Sequence, residues 1–264
     1  MFKNTIRKIF QPRRFKFAEL FKYIKFEELP ISQVLNLSRD DSYEYFDNYF
    51  KFKSSKLVKT HRWYFKQNKR GYGEDAFHAM WEVLIKNFKP NYLLEIGVYR
   101  GQIISLFELL VSSYSKEFEI WGISPLDNSS DSVSEYKDLD YHGDIKKNFD
   151  YFKLSNPNLL NSYSNVTKAK NFISEKIWDF IYIDGSHEYE FVKKDINNCL
   201  PFLKKGGLLI LDDSSLYEDF NLSLGNKNIF KGHPGPSKAM QELKNSSEVS
   251  YYLGVGHNNI FIKK

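Results

Sequence analysis

A single cysteine, Cys199, stands in 264 residues. It permits no internal disulfide and no cysteine-based zinc centre, and it makes a reducing compartment the default setting. No apolar run approaches the ~20 residues that a membrane-spanning helix needs. The N-terminus has no apolar stretch followed by a small-residue cleavage site, so a secretory signal is excluded and a cytoplasmic protein is expected. Glycine is missing from residues 1–65, and no internal repeat or low-complexity tract occurs.

Strong charge is lacking too. The formal net charge is +5. Lys3, Arg7, Lys8, Arg13, Arg14, Lys16, Lys22 and Lys25 stand against one acid, Glu19, in the first 26 residues. That segment alone exceeds the total, so the rest of the chain is slightly acidic and does not read as a nucleic-acid binder. A basic, aromatic start of this kind either is a solvated helix or makes a weak contact with an anionic membrane surface. The oligomeric state is not readable from the sequence.

What is present is a chain of ordinary globular composition, 42% hydrophobic and 27% charged. Residues 1–65 read as a helical N-terminal extension or cap, and residues 66–264 as one larger domain. Gly71 and Gly73 interrupt the helical pattern; Glu74 to Phe88 then reads as a helix with an apolar face, stopped by Pro90. Beyond it, short apolar runs alternate with amphipathic segments. Strands are expected at Tyr92–Ile96, Glu119–Ile123, Leu159–Tyr163, Asp179–Ile183 and Gly207–Leu211. Helices are expected at Gln102–Leu110, Ile145–Phe152 and Tyr189–Leu203, the last closed by Gly206-Gly207 as a left-handed cap. Two final β-like runs, Val249–Val255 and Asn259–Ile262, flank a Gly256-His257-Asn258 turn. The fold class is α/β: a Rossmann-like, seven-stranded, mostly parallel sheet with helices on both faces and a C-terminal antiparallel hairpin.

Three motifs carry chemistry. In Glu95-Ile-Gly97-Val-Tyr99-Arg100-Gly101, between a strand and a helix, the glycines let the backbone turn tightly and approach a ligand. The acid before the first glycine suits a ligand bearing an amino group. The plain alternative is a tight turn with a surface acid. In Asp179-Phe-Ile-Tyr-Ile-Asp184-Gly-Ser-His187, a strand delivers an acid and a histidine to the edge where open α/β sheets bind ligands. In Gly206-Gly-Leu-Leu-Ile-Leu-Asp212-Asp213, two acids end a buried strand. They either ligate a hard divalent cation or cap a following helix through Asp213 or Ser214. Phe230-Lys-Gly-His233-Pro-Gly-Pro-Ser237 reads as a surface connection or part of a substrate loop, and His257 as turn chemistry.

Taken together, in this order, the motifs resemble the class I S-adenosylmethionine-dependent methyltransferase superfamily. Within it they are similar to the macrocin-type sugar O-methyltransferases and their cephalosporin-hydroxylase-like relatives, over roughly residues 70–264. The resemblance implies S-adenosylmethionine as cofactor, held by Glu95, Gly97, Tyr99, Arg100 and Gly101. It implies a divalent cation, magnesium in those enzymes, on Asp184, Asp212 and Asp213. It implies a small hydroxylated acceptor such as a sugar or glycan intermediate, with Asp184 or His187 removing its proton. The acid that usually meets the ribose after the second strand is replaced here by Trp121-Gly-Ile-Ser124-Pro-Leu-Asp127, which leaves Ser124 or Asp127 for that contact. An oxidative relative, or a silent glycan- or partner-binding module, are the alternatives.

Overall fold

A computed structural model describes residues 26–67, 70–127, 139–221, 223–224, 227–228 and 230–264, with the side chains of 222–229 excluded. The basic run at the start of the chain, and with it the proposed membrane contact, lies outside the described residues.

The helical segment comprises α1 (Ile31–Val34), α2 (Arg39–Phe52), α3 (Lys56–Lys66) and α4 (Asp75–Phe88). Ser38 and Ser55 start α2 and α3 by accepting the amides of Asp41 and Val58. Lys89, in the left-handed conformation, ends α4 just before Pro90. There follow β1 (Tyr92–Ile96), α5 (Gln102–Val111), β2 (Glu119–Ser124), α6 (Tyr141–Phe152), β3 (Asn158–Asn161) and α7 (Thr167–Ile173). Next come β4 (Trp178–Ile183), α8 (Tyr189–Cys199), β5 (Leu203–Leu211), a short hairpin β6 (Ser223–Leu224) and β7 (Lys227–Asn228), α9 (Pro234–Lys244), β8 (Val249–Val255) and β9 (Asn258–Lys263).

Seven strands form one sheet in the order β3-β2-β1-β4-β5-β9-β8. The first five run parallel and the last two are antiparallel. The fold expected from the sequence is therefore the fold observed. Boundaries differ in places: α6 begins at Tyr141 rather than Ile145, β3 ends at Asn161 rather than Tyr163, and α8 stops at Cys199, with a single 3-10 turn over Leu200–Phe202 and β5 beginning at Leu203. Gly206, at φ 77°, lies within β5 rather than capping a helix. The pairing of β4 with β5 slips between Trp178 and Phe180, so the glycine accommodates an irregularity in the ladder.

Alternation along the strands loads both faces. Leu93, Phe180, Leu208 and Ile210 point to one side with Trp81 of α4 and Phe107 of α5. Leu94, Ile181, Leu209 and Leu211 point to the other, with Val192 and Ile196 of α8 and Met240 of α9. A strand buried on both faces reads as a continuous apolar run, as these do. Tyr43, Phe46 and Tyr49 of α2 belong to the first of these two clusters, so the described part of the N-terminal helices shares one core with the sheet. Among the described residues no helix is long and apolar enough to cross a membrane.

Candidate active site

Strand register places the three motifs on one line. Ile96 pairs with Ile123 and Ile183, and Ile183 with Leu211. The ladder continues one residue further: the Gly97 amide donates to the Ile123 carbonyl at 2.9 Å, Asp184 to Ile96 at 2.8 Å and Asp212 to Ile183 at 3.0 Å. Gly97, Asp184 and Asp212 thus stand abreast at the carboxyl edge of the parallel strands, the ligand-binding edge of such sheets.

The glycine turn is built for close approach. Gly97 and Gly101 have φ of 92° and 83°, a region that disfavours any side chain. A methyl group on Gly97 would collide with the Asp184 carbonyl and Gly185 backbone, so this glycine brings two protein loops together. The sequence assigns it to a tight turn and to ligand approach, and gives no sign of this loop contact. Glu95 is 2% exposed, and its Oε2 lacks a hydrogen-bond partner. Burial, aided by nearby Asp212, raises its pKa well above the ordinary range, although the Ile104 amide in the first turn of α5 opposes this. Tyr99 is at φ 47°, and its buried hydroxyl also lacks a partner. Arg100 turns away from the strand ends, donating to Asp144 of α6 at 2.8 Å, while its carbonyl accepts from Asn148. Ser124 closes β2, its hydroxyl 3.5 Å from the Leu126 amide, with Asp127 three residues on. The described chain breaks off there until residue 139.

The acids meet three histidines. His257 Nδ1 is 2.9 Å from Asp212 Oδ1 and 3.0 Å from Asp213 Oδ1. His187 Nε2 is 3.2 Å from Asp213 Oδ2, and His233 Nε2 3.7 Å from the same oxygen. The His187 and His233 rings stack at 4.0 Å. Asp213 is at φ 48°, a conformation a non-glycine residue holds only under constraint. No helix starts there; the next one begins at Pro234, which removes the capping alternative. Burial raises the Asp184 carboxyl well above its usual range, with Asp212 and Asp213 adding to the effect. Burial pushes Asp213 the same way, but the adjacent imidazoles of His187 and His257 overcome it and hold the carboxyl below the usual range. His257 moves oppositely: burial would lower it, yet Asp212 and Asp213 carry it up to about 10. Asp184 stands beside these groups, receiving the Tyr182 hydroxyl at 3.2 Å. It is absent from the two clusters whose ligand atoms lie within 4.8 Å of one another, His187–Asp213–His233 and Asp212–Asp213–His257.

In the sequence His233 reads as a surface connection or part of a substrate loop, and His257 as turn chemistry. His233 is delivered by a backbone pairing: its amide donates to the Asp213 carbonyl at 2.8 Å, and Gly232 leaves room for that contact.

Comparison with known proteins agrees with the geometry. Residues 94–214 match a family model described as a methyltransferase domain. The first curated relative, uncharacterized protein y4gI of Sinorhizobium fredii, is 24% identical over 140 residues; the match covers 53% of this chain and 15% of that protein. Among solved structures, the methyltransferase PaMTH1 of Podospora anserina, bound to SAH, superposes with a TM-score of 0.57 at 15% identity, covering 90% of this chain and 99% of that one. An O-methyltransferase of Bacillus cereus in complex with SAH gives a TM-score of 0.55 at 12% identity, covering 89% and 100%. The strand order of the sheet is that of the methyltransferase fold, and the glycine turn and the Asp184 and Asp212 strand ends lie within the matched residues. By its fold, and by the match over residues 94–214, the chain is similar to these methyltransferases.

Proposed function

We propose that the protein transfers the methyl group of S-adenosylmethionine to a hydroxyl oxygen of a small acceptor, a sugar or glycan intermediate, with a divalent cation on the acceptor side. The carrying observation is the single row of strand ends on which the glycine turn, buried Glu95 and the Asp212–Asp213 pair stand together. The O-methyltransferase from Bacillus cereus supports oxygen as the methylated atom.

The residues fit the cofactor. The buried Glu95 carboxyl, with Oε2 unpartnered, is costly to ionise by itself and suits an amino group that would return its charge. The glycine turn opens the N-terminal end of α5, a place that suits a carboxylate. Ser124 ends the neighbouring strand and Asp127 follows it, on the side where the ribose would lie. S-adenosylmethionine supplies an activated methyl group on a sulfonium centre.

The acceptor side follows from Asp213. Its Oδ2 accepts from His187 Nε2, which orients the ring and leaves Nδ1 with the lone pair of a general base. Asp184, Asp212 and Asp213 would hold the cation, which lowers the pKa of a hydroxyl bound beside it. Positioning then does much of the remaining work, because an in-line displacement needs the oxygen, methyl carbon and sulfur aligned.

The test is incubation with S-adenosylmethionine labelled on its methyl group and a panel of nucleotide sugars. An O-methylated product is expected. His187→Ala should slow its formation by about a hundredfold or more, with cofactor affinity unchanged. Transfer to nitrogen or carbon alone, or an unaltered rate in the variant, would contradict the reading.

A further inference from the structure

Ligand type bears on which cation the site selects. Magnesium favours an all-oxygen, octahedral shell, whereas imidazole nitrogen suits manganese less and zinc, iron, cobalt or nickel more. The fold brings an imidazole between the two acids. We propose that His257 Nδ1 would hold the divalent cation together with Asp212 Oδ1 and Asp213 Oδ1, and that the site takes a borderline transition metal in preference to magnesium. The inference rests on the cation part of the proposed function.

Spacing is the first support. Two ligand atoms cis on an octahedral ion, each at about 2.1 Å, stand about 3 Å apart. The observed separations from His257 Nδ1 are 2.9 and 3.0 Å. Alignment is the second. His257 Nδ1 and Asp212 Oδ1 are buried, yet neither is aligned for a hydrogen bond with any neighbour. Atoms this close that do not point at one another suit convergence on a common third point.

Preorganisation is the third. The imidazole lies edge-on to Phe77, with ring centres 4.6 Å apart, and is flanked by Phe230 at 5.7 Å. The turn that carries it is fixed on both sides. Arg39 of α2 donates to the Gly256 carbonyl at 2.8 Å, and the Ser214 amide donates to the His257 carbonyl at 3.0 Å. The other oxygen of Asp213 is engaged by His187, so Oδ1 is the one turned to His257 and the ion. A carboxylate tied to an outer imidazole in this way is the usual support for a metal ligand.

The experiment is calorimetric titration of the metal-free full chain with zinc, cobalt, manganese and magnesium chlorides, on wild type, His257→Ala and His257→Gln. Nitrogen coupling is read in the spin-echo spectrum of the manganese form. Zinc and cobalt should bind at least tenfold more tightly than magnesium. Both variants should lose at least tenfold of that affinity and the nitrogen signal, with circular dichroism and S-adenosylhomocysteine binding preserved. Magnesium binding as tightly as zinc would overturn the proposal. So would variants that bind as wild type does, which would place the ion on the His187–His233 side. Absence of any metal binding would also overturn it, leaving a protonated His257 as the site's resident cation. Methyl transfer and S-adenosylhomocysteine binding, measured on the same samples, report separately on the methyltransferase reading. If they persist while the metal arm fails, only the ligand assignment falls.

Discussion

At the residue scale, buried groups with no partner mark where this protein spends stability. Glu95 Oε2 faces the ligand edge, but Asp195 of α8 lies below it, fully buried with neither oxygen in an aligned hydrogen bond. Its Oδ2 approaches the space beside Gly185, in the loop that carries Asp184 and His187. Burial raises the Asp195 pKa to about 7, with the Ser164 hydroxyl and Lys194 offsetting part of the effect. The folded chain therefore holds a proton that the unfolded chain releases near pH 4. Folded protein binds more protons between those values, so stability falls as pH rises from about 4 to about 7. The accumulated penalty above pH 7 reaches at most about 4 kcal/mol. Asp195→Asn should abolish this slope and raise the urea midpoint at pH 8 more than at pH 5. Equal shifts at both pH values would show that the carboxyl is not protonated in the folded state.

At the element scale, the helical extension and the C-terminal hairpin form one device. Arg39 opens α2, and its side chain is 7% exposed. It donates to Ser215 Oγ and the Gly256 carbonyl, both at 2.8 Å, to Tyr251 Oη at 2.8 Å and to Asn259 Oδ1 at 2.6 Å. Glu218 lies 3.5 Å away. One guanidinium thus clamps the segment after β5 to the β8–β9 turn, where His257 sits. Arg39→Ala would leave several buried acceptors unpaired and should cost about 2–4 kcal/mol. Chemical denaturation measures this directly. Arg39→Lys should recover only part of the loss, because an ammonium cannot reproduce the planar fork. Full recovery by lysine would reduce the clamp to a point charge.

Legibility followed the same scales. The apolar runs of β1, β4 and β5, and the glycines at φ 92° and 83°, announce themselves because local chemistry alone requires them. The three acids were readable for a topological reason: each follows a parallel strand, so each must lie at the same edge. His257 was hidden because a turn histidine has no local signature. The signal was nonetheless present in the hairpin. β9 runs antiparallel to β5, and the pairing of Leu211 with Asn259 forces residues 256–258 next to Asp212 and Asp213. Arg39, 218 residues before His257, had no such cue. Its partners are mostly carbonyl and hydroxyl oxygens, which leave no charge complement to search for in the sequence.

At the scale of the whole molecule, the proposed function requires that Glu95 and the glycine turn form a cofactor site complete without the acceptor machinery. The described N-terminal helices share the sheet's first core cluster, so cofactor binding is best measured on the full chain. Calorimetric titration with S-adenosylhomocysteine tests the relation most directly. One saturating site per chain is expected. Glu95→Gln should bind at least tenfold more weakly, about 1.4 kcal/mol, while Asp213→Asn binds as wild type does. No saturable binding to the folded wild type, or equal affinity in Glu95→Gln, would contradict the account.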